Sequence, residues 1–250
     1  MSGAGERRVL VVGTTADYVG LIDRRFPDRA LFLTDARERA GASEPAPGEQ
    51  SEVLADLTRP DVAADLVREH LRRRGLALGG VACFDDESLA LASTIAEAHG
   101  LRHTASEAVA RCRSKLACKQ AWRDAGLPCP EGWLAQGERE AEEVLARLGR
   151  PAVVKPLTGA GSELVFRCRN VEEWRAVART LLDGLAARSG SRMYGGSDRS
   201  REPGPVFVIE EWIEGTEYSV DFAVDGDHVD LLRTARKIPA PRETFGTTLA

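Results

Sequence analysis

The sequence predicts an α/β protein that begins with a doubly wound parallel sheet. Two observations predict this class. Short, continuous apolar runs alternate with segments of helical periodicity over roughly residues 6–108, which is typical of βαβ units. The chain has 250 residues, of which 43% are hydrophobic and 29% charged, so it is long enough for one or two globular domains with a buried core.

The N-terminal elements follow in order. Residues 7–13 form a basic start, an apolar run and a glycine, the pattern of a strand buried on both faces of a parallel sheet. Residues 30–34 and 80–84 predict two further buried strands. Apolar residues at helical spacing precede Gly75 and Gly100, and glycine commonly ends a helix. These elements predict an N-terminal domain over residues 1–110.

The first strand-to-helix turn does not predict a dinucleotide site. It reads Gly13-Thr-Thr-Ala-Asp-Tyr-Val-Gly20 and lacks the G-x-G-x-x-G spacing that places a pyrophosphate on a helix N-terminus. Gly13 therefore indicates only a tight turn.

Composition narrows the function further. No apolar run approaches the ~18 residues of a membrane span, and the N-terminus lacks a signal-like apolar region, so we expect a cytoplasmic protein. The net charge of -5 gives no reason to expect a nucleic-acid partner. Five scattered cysteines form no C-x-x-C pair, and four histidines show no metal-ligand spacing, which predicts reduced structural thiols and no zinc site.

The stretch from Pro151 to Ser162 carries the strongest functional signal. Two valines before Lys155 predict a buried strand, which forces the lysine ammonium out of the packed surface. Gly159 and Gly161 follow in a loop that can bring backbone amides close to an anion. The stretch predicts a phosphate clamp that differs from a Walker loop, since its lysine precedes the glycines.

Two other regions have ordinary alternatives. Ser114 can cap a helix that begins with Lys115, where the helix dipole and the ammonium both favour an anion, although a solvated lysine is the simpler interpretation. Glu210, Glu211 and Glu214 follow a buried strand, and a solvated acidic loop is the alternative to a binding role.

Taken together, four motifs in this order resemble the ATP-grasp superfamily of the carboxylate–amine ligase type. The motifs are Arg113-Ser-Lys115 with Ala125-Gly-Leu-Pro-Cys-Pro130, Pro151-Ala-Val-Val-Lys-Pro156 with Thr158-Gly-Ala-Gly-Ser162, Val208-Ile-Glu-Glu-Trp-Ile-Glu-Gly215 with Glu217, and Lys237. The resemblance implies a partial, two-lobed α+β ATP-grasp domain over residues 111–250. Its two lobes would be a lid over about 128–205 and an incomplete C-terminal lobe over 206–250.

The resemblance also implies roles for single residues in binding ATP. Lys115 and Lys155 would contact the α- and β-phosphates, to which lysine point charges are suited. Gly159, Gly161 and Ser162 would lie in a flap over the triphosphate and donate hydrogen bonds to it. Glu210 would accept a hydrogen bond from the adenine amino group, and backbone groups of Glu211 and Ile213 would contact the adenine edge. Glu217 would bind the ribose hydroxyls, and Lys237 would reach the terminal phosphates. No side-chain nucleophile is needed, so no catalytic residue is assigned.

The magnesium ligands that the resemblance implies are missing from the sequence. They would follow Lys237, but only 13 residues remain and Glu243 is the only acid among them. We therefore expect a truncated chain, with the Mg²⁺ ligands beyond residue 250, that is inactive by itself. The expected reaction is acyl-phosphate formation from a small-molecule carboxylate followed by attack of an amine. The alternatives are a carboxylase or purine-pathway-like enzyme and an inactive ATP-binding module. We expect no nucleic-acid or membrane partner and take a homodimer as the candidate assembly.

Overall fold

The computed structural model of the protein describes residues 6–194 and 206–238. These residues fall into two compact units. One comprises the chain up to Ser114 together with a short segment that begins at Gly190, and the other begins at Lys115. A segment late in the sequence thus packs with the N-terminal unit.

The N-terminal unit is built on a four-stranded parallel sheet in the order β3-β2-β1-β4. Its elements are β1 (Glu6–Val12), α1 (Ala16–Arg25), β2 (Ala30–Asp35), α2 (Ala36–Gly41), β3 (Glu52–Ala55), α3 (Pro60–Arg74), β4 (Leu76–Ala82), α4 (Leu89–Ala98) and α5 (Ser106–Arg113). The three apolar runs of the sequence are three of these strands, and the predicted parallel sheet is confirmed.

Both faces of this sheet are covered, as continuous apolar strands require. Leu10 and Val12 are fully buried on one face, in a core shared with α3 and α4. Val11 and Phe32 are buried with Val19 of α1 on the other face. Burying one such side chain contributes roughly 1.5–3 kcal/mol. Alternate side chains of one strand are therefore buried in two different cores, one on each face of the sheet. This is the doubly wound arrangement that the sequence predicted.

The second unit contains a four-stranded antiparallel sheet in the order β5-β8-β6-β7 and a separate two-stranded hairpin. Its elements are α6 (Lys115–Asp124), β5 (Gly132–Gln136), α7 (Gly137–Leu148), β6 (Ala152–Pro156), β7 (Phe166–Cys168), α8 (Val171–Ala187), β8 (Val206–Glu211), β9 (Tyr218–Asp225) and β10 (His228–Arg236). Helices α7 and α8 pack on the sheet, where Trp174 and Phe207 lie with ring centroids 5.4 Å apart.

Strand β8 lies in the middle of this sheet, paired with β5 on one side and β6 on the other. Phe207, Val208 and Ile209 are fully buried, as expected for a central strand. The resemblance predicted that the C-terminal lobe begins at residue 206. Strand β8 begins at this residue and pairs with β5 and β6 in one sheet.

Helix α8 is the longest helix in the described part of the chain, with 17 residues. Its first turn is capped, since the backbone amide of Glu173 donates to the Asn170 side chain at 2.9 Å. A bilayer-spanning helix needs about 20 mostly apolar residues. No helix within residues 6–194 and 206–238 is long and apolar enough to cross a membrane.

The hairpin of β9 and β10 turns at Asp225-Gly-Asp, with Gly226 at φ 60°. Its first strand alternates apolar and polar residues. Tyr218, Val220, Phe222 and Val224 share one face of the strand and are 47–59% exposed. The apolar face of this strand is therefore largely uncovered by the described residues.

Candidate functional site

A cavity of about 270 Å³ in the second unit gathers residues from distant parts of the sequence. Lys115 reaches it from the start of α6, Lys155 from β6 and Glu217 from the segment before β9. The loop after β6 contributes Gly159 and Ser162. The cavity is completed by Val153, Ala160, Glu163 and Val165. Five of the ten predicted binding residues therefore line one cavity.

Strand pleating directs Lys155 into this site. Ala152, Val154 and Pro156 are buried, whereas Val153 and Lys155 are half-buried, because successive side chains of a strand point to opposite faces. The clamp lysine is consequently held at the cavity by the packing of its neighbours.

Next to the cavity lies a buried cluster of one carboxylate and two ammonium groups. Oε2 of Glu210 is 2.7 Å from Nζ of Lys155 and 3.3 Å from Nζ of Lys119. Glu210 and Lys119 are each only 5% exposed. Among the residues that the structure describes, Oε1 of Glu210 has no hydrogen-bond partner. A buried carboxylate oxygen without a partner is costly, so it is suited to accept a hydrogen bond from a ligand.

The sequence-based assignment did not include Lys119. It lies one helical turn after Lys115 on α6, and residues four apart share one face of a helix. Gly132 makes room for it, because a Cβ there would lie 3.2 Å from Cδ of Lys119. The i, i+4 lysine pair was the available signal, but only the fold shows that Lys119 meets Glu210.

The predicted flap adopts a backbone that favours glycine. Gly159 and Gly161 have φ angles of 105° and 69°, and Ser162 has a φ of 58°. Nζ of Lys115 donates to the Gly159 carbonyl at 3.0 Å, and its backbone amide donates to the Leu157 carbonyl at 3.1 Å. The start of α6 is therefore tied to the loop in two places.

The base of the flap packs on helix α8 through Leu164. This residue has a φ of 57°, which is unusual for leucine. Its side chain lies against Gly184, where a Cβ would come within 2.6 Å of Cδ2 of Leu164. Gly184, in the last turn of α8, thus provides the space for Leu164 to pack.

The segment after β8 is fixed by contacts to its neighbours. The Glu211 carboxylate accepts from the backbone amide of Glu131 at 3.0 Å and pairs with the Arg150 guanidinium. The Trp212 amide donates to the Pro151 carbonyl at 3.1 Å, while Ile213 is 60% exposed. Neither Glu211 nor Ile213 lines the cavity, so the fold holds their backbone in place but does not test their predicted adenine contacts.

Glu217 and Lys237, for which the sequence predicted different contacts, pair with each other. Nζ of Lys237 lies 2.5 Å from Oε1 of Glu217, and the Lys237 amide donates to the Glu217 carbonyl at 2.9 Å. The backbone bond sets Lys237 beside β9, and the ion pair holds both side chains near the cavity mouth that Glu217 lines.

Comparison with known proteins bears on the family. Residues 148–248 match the family model described as the ATP-grasp domain. The chain is 30% identical over 126 residues to a D-alanine--D-alanine ligase of Ectopseudomonas mendocina, covering 50% of this chain and 34% of that protein. The fold resembles the crystal structure of an L-amino acid ligase from Bacillus licheniformis, with a TM-score of 0.69, 18% identity, and coverage of 98% of this chain and 55% of that one. The chain therefore carries an ATP-grasp domain over residues 148–248.

A second solved structure has a similar fold. The fold also matches carboxyaminoimidazole ribonucleotide synthase from Aspergillus clavatus complexed with ATP, with a TM-score of 0.62, 16% identity, and coverage of 94% of this chain and 55% of that one. At such identities the likeness shows the fold alone. This chain spans a quarter to a third of the length of the first curated relatives, including an uncharacterized protein, y4rH, of Sinorhizobium fredii that is 30% identical over 139 residues.

The described part of this ATP-grasp chain offers no metal site. Within residues 6–194 and 206–238, no group of three or more histidine, cysteine, aspartate or glutamate side chains could hold a metal ion. Glu243, the acid that follows Lys237 in the sequence, lies outside the described residues.

Proposed function

We propose that this chain carries the ATP-binding site of a ligase that activates a carboxylate as an acyl phosphate for attack by an amine. In the first step a carboxylate oxygen attacks the γ-phosphorus of ATP, and ADP leaves. In the second step the amine nitrogen attacks the acyl carbon and phosphate leaves, so that an amide forms. Such chemistry depends on alignment and charge neutralisation rather than on a side-chain nucleophile.

One observation carries this proposal: a single cavity brings Lys115, Lys155, the flap and Glu217 together. Two ammonium groups and loop amides are suited to bind phosphates. Glu217 can accept two hydrogen bonds from ribose hydroxyls. A nucleotide, which carries both phosphates and hydroxyl groups, fits this combination of donors and a carboxylate better than a simple anion does.

The buried cluster fits the same ligand. The Oε1 atom of Glu210, which lacks a partner among the described residues, is suited to accept from the adenine amino group. In the proposed complex, Gly159, Gly161 and Ser162 cover the triphosphate, Glu211 and Ile213 offer backbone groups to the adenine edge, and Lys237 reaches the terminal phosphates. Lys119 keeps the Glu210 charge compensated when Lys155 turns to a phosphate.

A divalent cation would reduce the charge of the bound triphosphate, and we propose Mg²⁺ for this role. The described residues supply no metal-binding group, so no step of the proposed reaction is assigned to the metal through them. The protein groups on view neutralise charge and position the nucleotide.

The test is ATP affinity of the Lys155→Ala variant, measured by isothermal titration calorimetry. A charged hydrogen bond contributes about 1.5–3 kcal/mol, so we expect affinity to fall by roughly 10- to 150-fold. The fold should survive, because Glu210 keeps its pairing with Lys119. Arg139→Ala is the matched control, since this exposed arginine on α7 pairs only loosely with Glu143 at 3.4 Å. Unchanged ATP affinity in a folded Lys155→Ala variant would refute the assignment.

A further inference from the structure

The N-terminal unit contains a second and larger cavity, of about 490 Å³. It lies where the parallel strands β1 and β4 end and the strand order of the sheet reverses direction. Open α/β sheets bind ligands at such points. The lining residues are Thr14, Thr15, Tyr18, Glu38, Phe84, Asp85, Glu87, Arg192 and Met193. All of them belong to the N-terminal unit, so this cavity is separate from the proposed nucleotide site.

The cavity wall already binds one organic cation, the guanidinium of Arg192. Its Nη1 donates to Oγ of Ser88 at 2.6 Å, and its Nη2 lies 3.5 Å from Glu38 and 3.6 Å from Glu87. The Arg192 side chain is only 13% exposed. An arginine from late in the sequence thus occupies part of the wall.

The arginine does not balance the charge of the wall. Three lining carboxylates, those of Glu38, Asp85 and Glu87, face one guanidinium. Burial raises the pKa of Glu38 above its usual value; Arg192 opposes this rise, and the carboxylates of Asp35, Glu87 and Asp85 add to it. The neighbouring carboxylates therefore act on the pKa of Glu38 in the same direction as its burial.

Two exposed aromatic side chains also line the cavity. Tyr18 and Phe84 are 53% and 65% exposed, although both line the cavity. An aromatic face beside carboxylates attracts an organic cation through its ring electrons. A metal ion fits less well, because no set of three or more carboxylates, histidines or cysteines in the described ranges could hold one.

We infer that this cavity binds a small organic cation, an ammonium or guanidinium group carried on an apolar or aromatic body. The charged group would meet Glu38 and Glu87, and the body would lie against Tyr18 and Phe84. This inference stands apart from the proposed nucleotide site.

The test uses 2-phenylethylammonium as the probe, titrated calorimetrically into the whole chain without nucleotide. Its anionic and neutral counterparts, 3-phenylpropionate and 3-phenylpropan-1-ol, have a similar shape and separate charge from hydrophobicity. We expect the cation to bind at least about tenfold more tightly than either counterpart, since the wall carries excess negative charge. Equal binding of all three probes, preference for the anion, or no binding of the cation would overturn the inference.

Matched variants locate the site. Glu38→Gln and Glu87→Gln should each weaken cation binding roughly five- to fifteenfold, the effect of one charge at about 5 Å in a partly screened site. Glu107→Gln, an exposed residue of α5 outside the cavity, should leave binding unchanged. If Glu38→Gln and Glu87→Gln bind the cation like the wild type, the site lies elsewhere and the inference fails.

Replacing Arg192 tests whether the cavity prefers a cation or an anion. If Arg192 competes with the ligand for the same carboxylates, Arg192→Ala should bind the cation about tenfold more tightly than the wild type. If Arg192 instead recognises an anionic ligand, the same variant should lose affinity for 3-phenylpropionate and gain none for the cation, which would overturn the inference. If Arg192→Ala does not fold, Glu38→Gln and Glu87→Gln test the inference, because each substitution keeps the size of the side chain. Because no nucleotide is present, a failed nucleotide proposal would not affect these results.

Discussion

Replacing Glu210 by glutamine should expose how the buried charge cluster holds the second unit together. The substitution keeps the size of the side chain but removes the charge that faces Lys119 and Lys155. Lys119 is 5% exposed, and no other carboxylate pairs with it among the described residues. Glu210→Gln therefore leaves a buried ammonium without a counter-charge.

The expected cost follows from this burial. Removing one partner of a buried ion pair destabilises a protein by about 3–5 kcal/mol, and the remaining hydrogen bond from glutamine places the estimate at the lower end, about 3 kcal/mol. Lys119→Met should cost less, about 1–2 kcal/mol, because Glu210 keeps Lys155 at 2.7 Å. In the double variant Lys119→Met/Glu210→Gln neither buried charge remains, so the two losses should not add.

Urea unfolding followed by tryptophan fluorescence, to which the buried Trp174 contributes, measures these free energies. We expect the double variant to be more stable than the sum of the single variants predicts, by about 1–3 kcal/mol. Glu143→Gln is the control, because its exposed pairing with Arg139 should contribute at most about 0.5 kcal/mol. Strict additivity, or a loss of less than about 1 kcal/mol in Glu210→Gln, would refute the argument that the cluster is buried and coupled.

Two further predictions concern the flap and the thiols. Gly184→Ala should destabilise the protein by about 1–3 kcal/mol, because the new Cβ would come within 2.6 Å of Leu164. Gly41→Ala is the control and should not destabilise the protein, because the space around Gly41 is open. Urea unfolding compares the free energies of unfolding of the two variants. In a titration with a chromogenic disulfide at pH 8, the exposed Cys112 should react at once and the buried Cys168 only on unfolding, because burial raises the pKa of Cys168 to about 11. Fast reaction of Cys168 in the folded chain would contradict its burial.

Patterns of local sequence predicted the parts of the fold in which packing follows directly from periodicity. The apolar runs around Leu10, Leu31 and Val81 became neighbouring parallel strands, because such runs are stable only with both faces covered. The strand that carries Lys155 was predicted in the same way, since its alternation fixes which side chains are buried. These features depend on a residue and its nearest neighbours.

Features that depend on distant pairing were not available from the sequence. The central position of β8, between β5 and β6, follows from hydrogen bonds between segments far apart in the chain. The contact of Lys119 with Glu210 has the same origin, and so does the return of Arg192 to the N-terminal unit. A charged residue at helical spacing has the same local signal whether it is solvated or buried in a cluster.

The composition of the buried cluster bears on how the site could exchange ligands. In the described structure the Lys155 ammonium is already satisfied by Glu210, so a phosphate has to compete with that carboxylate for it. A simple Lys155–Glu210 pair would oppose the exchange, because removal of the lysine would leave a buried carboxylate without a partner. Lys119 changes this balance, since it stays within 3.3 Å of the same oxygen and compensates its charge. Two lysines around one carboxylate thus allow Lys155 to turn towards a phosphate at a smaller cost than a pair would, and this is the physical reason to expect Lys119 to matter for nucleotide affinity although it does not line the cavity.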